Sequence, residues 1–120
     1  MAITVATSYA DSTAVVCSST SANGMRIDAL CNPSQTGSVF VQLFDSAAPT
    51  FGVTAPLLTV PIQANTVEGG RTKEAIIVGN GGVRCTTALS FFVTNSSVAN
   101  TTAAAGTDAP QEVRVFWLPI

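Results

Sequence analysis

Histidine is absent from this chain of 120 residues, and charge is scarce: Lys, Arg, Asp and Glu together make up 10% of it, against about a quarter in an ordinary soluble domain. Without an imidazole, Ser–His and Cys–His nucleophilic catalysis lacks its proton carrier. The three cysteines, Cys17, Cys31 and Cys85, lie far apart and show none of the paired short spacings of a zinc site, so no metal and no cofactor are expected. Each reads as a small buried hydrophobe, with one disulfide left open. The basic residues Arg26, Arg71, Lys73, Arg84 and Arg114 are scattered in a chain of net charge −2. They form no run that neutralises phosphates, so nucleic acid is not an expected partner. No stretch approaches the roughly 18–20 apolar residues of a membrane-crossing helix, and no membrane partner is expected. Met1–Ala10 has no basic n-region and holds Thr4, Thr7 and Ser8, which argues against a signal peptide and for synthesis in a cytoplasm.

What fills the gap is Ala, Thr, Ser and Val. A surface this poor in charge is kept in solution by hydroxyls or is largely covered by partners. The length suits one domain, residues 1–120, able to bury roughly two-thirds of the surface its unfolded chain exposes.

Apolar residues come in short runs separated by turn clusters, which points to an all-β domain of short antiparallel strands, a β-sandwich or jelly roll, with helix content near nil. The central run is Val39–Phe44, where Val39, Val41 and Leu43 share one face while Phe40 and Phe44 share the other. Ala48–Pro56 carries two prolines and Gly52 and reads as an ordered excursion. Leu57–Val60 is closed by Pro61, the mark of an edge or a strand end. Earlier, Met1–Thr7 reads as a first strand, with residues 1–10 otherwise an arm. Thr13–Cys17 and the alternating Met25–Cys31 flank Ser18–Gly24 and read as a hairpin with a long loop. Ala75–Val78 is a strand, and Asn80–Gly82 gives the strongest turn signal, again read as a hairpin. Val83–Thr94 reads as one long strand with Cys85, Leu89, Phe91 and Val93 on a face. Asn95–Pro110 is too polar to pack a core, and Asn95–Gly106 within it should be exposed and tolerate insertion. Gln111–Ile120 closes the chain as a terminal strand, with Val113, Val115 and Trp117 on one face and Phe116 and Leu118 on the other.

Chemistry is thin. The carboxylates Asp11, Asp28, Asp45, Glu68, Glu74, Asp108 and Glu112 mostly sit beside turn residues, where they cap backbone N–H groups. Asp45, at the mouth of the proline loop, reads as the cap of that loop. The glycines at 79, 81 and 82 open a strand rather than a helix and so make no phosphate cradle. No catalytic residue is assigned, and the chain is expected not to be an enzyme. The aromatics are more telling. Adjacent residues of a strand point to opposite faces, so Phe40/Val41, Phe91/Phe92 and Phe116/Trp117 put bulky apolar groups on both sides of three strands. A two-layer sandwich hides only one side of each sheet, and a subunit interface would cover the rest. Phe40, Phe44, Phe51, Phe92, Phe116, Trp117 and Leu118 are the residues expected there.

The stretch Gly37–Ile62 also resembles a motif of small virion proteins of tailed bacteriophages, a strand ending L-[YF]-D followed by APT-G-T-P and a second strand. The matching residues are Leu43, Phe44, Asp45, Ala48, Pro49, Thr50, Gly52, Pro56, Leu57 and Pro61. The resemblance implies a non-enzymatic virion component. The expected role is a capsid decoration (cement) protein that self-associates, with a homotrimer favoured, and docks on the major capsid protein or another virion protein after assembly in the host cytoplasm. A neck or tail accessory protein is the alternative within that class. From a different class comes a surface carbohydrate-binding module that stacks sugars on Tyr9, Phe51 or Trp117.

Overall fold

β-Branched and aromatic residues in alternation build nine strands: β1 (Ala2–Ala6), β2 (Val15–Ser18), β3 (Ala22–Leu30), β4 (Val39–Phe44), β5 (Leu58–Ile62), β6 (Lys73–Ile77), β7 (Val83–Cys85), β8 (Leu89–Thr94) and β9 (Glu112–Pro119). The computed structural model describes residues 1–7, 14–30, 39–50, 52–62, 82–95, 110 and 112–120, and the backbone of 73–77. Among the described residues there is no helix.

The strands form two antiparallel sheets. The first runs β1-β9-β3-β6, with β7 also on β3, and the second runs β2-β8-β4-β5. The pairings are nested: β1 with β9, β2 with β8, β3 with β6 and β4 with β5. The chain is thus a long two-stranded ribbon wrapped around a common core, which is jelly-roll connectivity. Inward-facing residues of both sheets make that core, among them Ile27 and Ala29 of β3, Val39, Val41 and Leu43 of β4, Leu89, Phe91 and Val93 of β8, and Val113 and Val115 of β9.

All-β architecture is as expected, and so is β5 as an edge strand holding Pro61. Met1–Thr7 is a strand of the first sheet rather than an arm. Several pairings differ from the sequence reading. The expected hairpin of Thr13–Cys17 with Met25–Cys31 does not form. β2 pairs with β8 in one sheet, and β3 pairs with β9, β6 and β7 in the other. Alternation specifies which face a side chain takes but is silent on the partner strand. Asn23 and Gly24, expected in the turn, lie inside β3.

Nor do β6 and β7 pair with each other as the hairpin expected about Asn80–Gly82. Ile77 pairs with Arg26 and Val83 with Gly24, so β6 and β7 lie end to end along one edge of β3. Gly82 has a φ of 77°, and a side chain there would run into the Gly24 carbonyl. Val83–Thr94 is two strands in opposite sheets, although Cys85, Leu89, Phe91 and Val93 all reach the shared core.

The proline loop is held by its own bonds: Val53 and Thr54 N–H donate to the Thr50 carbonyl at 3.0 and 2.9 Å, and Thr50 N–H donates to Thr54 Oγ1 at 2.8 Å. Gly52 has a φ of 78°, in the left-handed region that favours glycine. The long polar connection lies at positions 96–109, outside the described residues.

Candidate interaction face

The two sheets treat their outward faces differently. On the second sheet, Phe44, Gln42, Ser90, Phe92 and Thr94 point away from the core, yet all are buried. The loop after β4 folds back over one end, where Ser90 Oγ donates to the Ser46 carbonyl at 2.5 Å and Pro49 is buried. Phe44 and Phe92 meet edge to face at a centroid distance of 5.3 Å. Neither has surface left for a partner, so two of the expected interface residues belong to the chain's own packing. Gln42, between Phe40 and Phe44, is fully buried with neither amide atom bonded among the described residues. Phe40 is half-buried on this face, and Phe51 lies outside the described residues.

Asp45 caps a loop, but not the one expected. Its Oδ1 accepts from Thr87 N–H at 2.8 Å and Ala88 N–H at 3.2 Å, and its Oδ2 from Thr86 N–H at 3.1 Å and Thr86 Oγ1 at 3.0 Å. One carboxylate therefore ties the end of β4 to the turn that carries the chain from β7 to β8. The Thr87 N–H bond leads in holding the Asp45 carboxyl below its ordinary value of 3.8, helped by the Thr86 and Ala88 bonds and opposed by desolvation. Because the folded-state value is depressed, the stabilisation is fully present above the unfolded value near 4 and is lost as pH falls through the lower folded value. Solvent reaches this carboxylate, so its bonds are worth about 1 kcal/mol rather than the larger figure for a dry charged pair. Asp45→Asn is expected to lower the urea midpoint at pH 7 and to flatten its fall below pH 4. An unchanged acid limb would show that the cap carries no linkage.

Two thiols sit in the core with no disulfide. Burial pushes Cys17 up to about 12, eased by a hydrogen bond with Thr4 and reinforced by Cys85. Burial, with the Asp45 charge beside it, pushes Cys85 up to about 11. Both are therefore neutral thiols at physiological pH, without nucleophilic character. Cys31 lies outside the described residues.

The first sheet is the open one. Opposite residues of an antiparallel pair share a face, so the register Ile3↔Phe116↔Arg26 and Val5↔Arg114↔Asp28 lays two rows across β1, β9 and β3. Ile3 and Val5 are 52% and 49% exposed, Leu118 is 36% exposed, and Phe116 is half-buried. With Met1, also exposed, they form an apolar stripe along the β1–β9 pair. The charges beside it are paired within the chain. Arg26 Nε donates to the nearly buried Asp28 at 2.8 Å and stacks its guanidinium 5.2 Å over the Phe116 ring. Arg114 Nε pairs with Glu112. A face of this kind offers apolar contact without a net field.

Of the expected interface residues, then, Phe116 and Leu118 lie together on an exposed face. Trp117 points the other way, against the core, and its Nε1 donates to Thr4 Oγ1 at 3.0 Å. The other two aromatics expected to stack a sugar, Tyr9 and Phe51, are outside the described residues. Sequence reasoning missed Ile3 and Val5. They follow only from knowing that β1 pairs with β9, because the weak alternation of residues 1–7 does not say which strand they join. Comparison with models of protein families, with curated proteins and with solved structures finds no match to the chain.

Proposed function

We propose that this is a non-enzymatic structural protein of a tailed-bacteriophage virion, a head decoration protein that stabilises the shell by docking through the outward face of its first sheet. The observation that carries the reading is the exposed stripe of Ile3, Val5, Phe116 and Leu118 beside internally paired charges. It stands beside the LFD…APT…P-LL-P resemblance of residues 43–61. Jelly rolls occur in capsid proteins and in lectins alike, so connectivity alone does not choose. The inward indole of Trp117 weighs against the lectin side.

The mechanism is mass action. A protein that binds the assembled shell and not its separated subunits adds its binding free energy to the stability of the shell. Contacts made by apolar side chains and backbone are little screened by salt. Mass spectrometry of purified particles with copy counting tests the reading directly: hundreds of copies support head decoration, six or twelve move the protein to the neck or tail, and absence overturns the proposal. Washing such particles in rising NaCl should leave the protein bound. Its release at moderate salt would mean that charge, not the apolar stripe, holds it.

A further inference from the structure

We infer that β1 is the pairing edge of a two-fold homodimer, in which Met1–Val5 of two copies run antiparallel, Ile3 facing Ile3 across the axis, and join their first sheets into one. The inference rests on the shell-docking reading only for what the joined face would bind. A sheet edge presents unpaired backbone N–H and C=O groups, and proteins usually blunt such edges with proline, charge or a bulge. Among the described residues, three of the four sheet edges are blunted. β5 holds Pro61, the register of β2 on β8 shifts between Val16 and Ser18, and β6 opens with Lys73 and Glu74. β1 has none of these devices. It pairs with β9 in an unbroken register over five residues, AITVA, and ends the sheet order on its far side among the described residues.

The chemistry of that edge selects its occupant. Ile3, Thr4 and Val5 are β-branched, the residue class that packs best on a neighbouring strand. The strand carries no charged side chain, so a second β1 meets no like charge across the seam. A ring of three strand additions would need two different open edges on each copy, whereas one open edge can only meet its own equivalent, which gives two-fold symmetry. Outward side chains Ile3 and Val5 of both copies then line the seam. The stripe they form with Phe116 continues from one copy into the next, doubling the apolar face. A five-residue seam is smaller than the roughly 1,200 Å² of a standard stable interface, which places the free dimer among weak, about micromolar associations.

Sedimentation equilibrium over a wide dilution series tests this with wild type, Ile3→Lys, Ile3→Glu and an equal mixture of the two variants. Ile3 is half-exposed on the outward face, so the melting temperature of each variant is expected to match wild type. If either variant fails to fold, Ile3→Arg and Ile3→Asp replace the pair. Wild type should dimerise, each variant alone should weaken the dimer about tenfold or more through like charges facing across the seam, and the mixture should restore it. A wild type that stays monomeric overturns the inference, as does an Ile3→Lys dimer as tight as wild type, or a mixture that does not recover. The same proteins separate this result from the functional reading. A dimer absent from particles sinks the virion role alone, and a monomer abundant on particles sinks the dimer alone.

Discussion

Gly82→Val is expected to unfold most of the protein under conditions where the wild type is fully folded. Two independent costs fall on this one position. Its φ of 77° lies in the left-handed region, where a residue with a side chain is strained by about 1–3 kcal/mol. A Cβ there would also stand 2.2 Å from the Gly24 carbonyl oxygen and 2.8 Å from Met25 Sδ. The methionine sulfur can swing away, but the carbonyl belongs to β3, which pairs with β9, β6 and β7 and cannot retreat without breaking those ladders. Forcing atoms into a packed site adds about 1–3 kcal/mol more. The sum approaches the 5–15 kcal/mol that holds a typical domain together. Gly52→Val provides the comparison. Gly52 has nearly the same φ, 78°, but nothing lies within 4 Å of where its Cβ would be. It should therefore show the backbone strain alone, about 1 kcal/mol or somewhat more. Urea midpoints of the two variants measure the difference. Equal losses would mean that β3 yields at Gly24 and that the close approach of β7 to β3 has no energetic consequence.

That close approach also shows where the sequence stops being informative. The alternation of Val39–Phe44 and Gln111–Ile120 gave the strands, their faces and the all-β class, because side-chain direction is a local property with a period of two. Pairing is not local. β1 meets β9 and β2 meets β8 across most of the chain's length, and no turn residue near either strand announces it. Of the Asn80–Gly82 signal, the described Gly82 has a positive φ, yet β6 and β7 follow one another along the same edge of β3 rather than pairing as a hairpin. Val83–Thr94 reads as unbroken because its apolar face is unbroken. What divides it at Thr86–Ala88 is a carboxylate 41 to 43 positions away, at Asp45. The candidate face was half legible for the same reason. Phe116 and Leu118 stand out in an apolar terminal strand, whereas Ile3 and Val5 acquire meaning only as their cross-strand neighbours.

The aromatics expected to mark an interface divide into two kinds, and mutation should separate them. Phe44 is wholly buried and stacks edge to face on Phe92, with the rings 84° apart. Truncating a phenylalanine in such a site costs about 3–5 kcal/mol, of which the ring pair itself supplies roughly 0.5–1.5. The buried, unbonded amide of Gln42 beside it leaves little slack, since an orphaned buried polar group already costs about 1–3 kcal/mol. Phe44→Ala should thus lower the melting temperature of the free chain steeply and reduce soluble yield, whether or not a shell is present. Phe116 is half-buried and outward. Serine there forfeits the Arg26 stacking, about 0.5–1 kcal/mol at an exposed site, and the cross-strand contact with Ile3, about 0.2–1 kcal/mol. Its core-facing neighbours Val115 and Trp117 keep their contacts, so Phe116→Ser should fold with a near-wild-type circular dichroism spectrum and a small shift in melting. Particles assembled with it should carry fewer copies than wild type, because the stripe loses its largest side chain. The reverse pattern, a stable Phe44→Ala chain that fails to dock and a Phe116→Ser chain that does not fold, would place the interface on the second sheet. Phe44, wholly buried in the free chain, would then have to become exposed whenever the protein binds its partner.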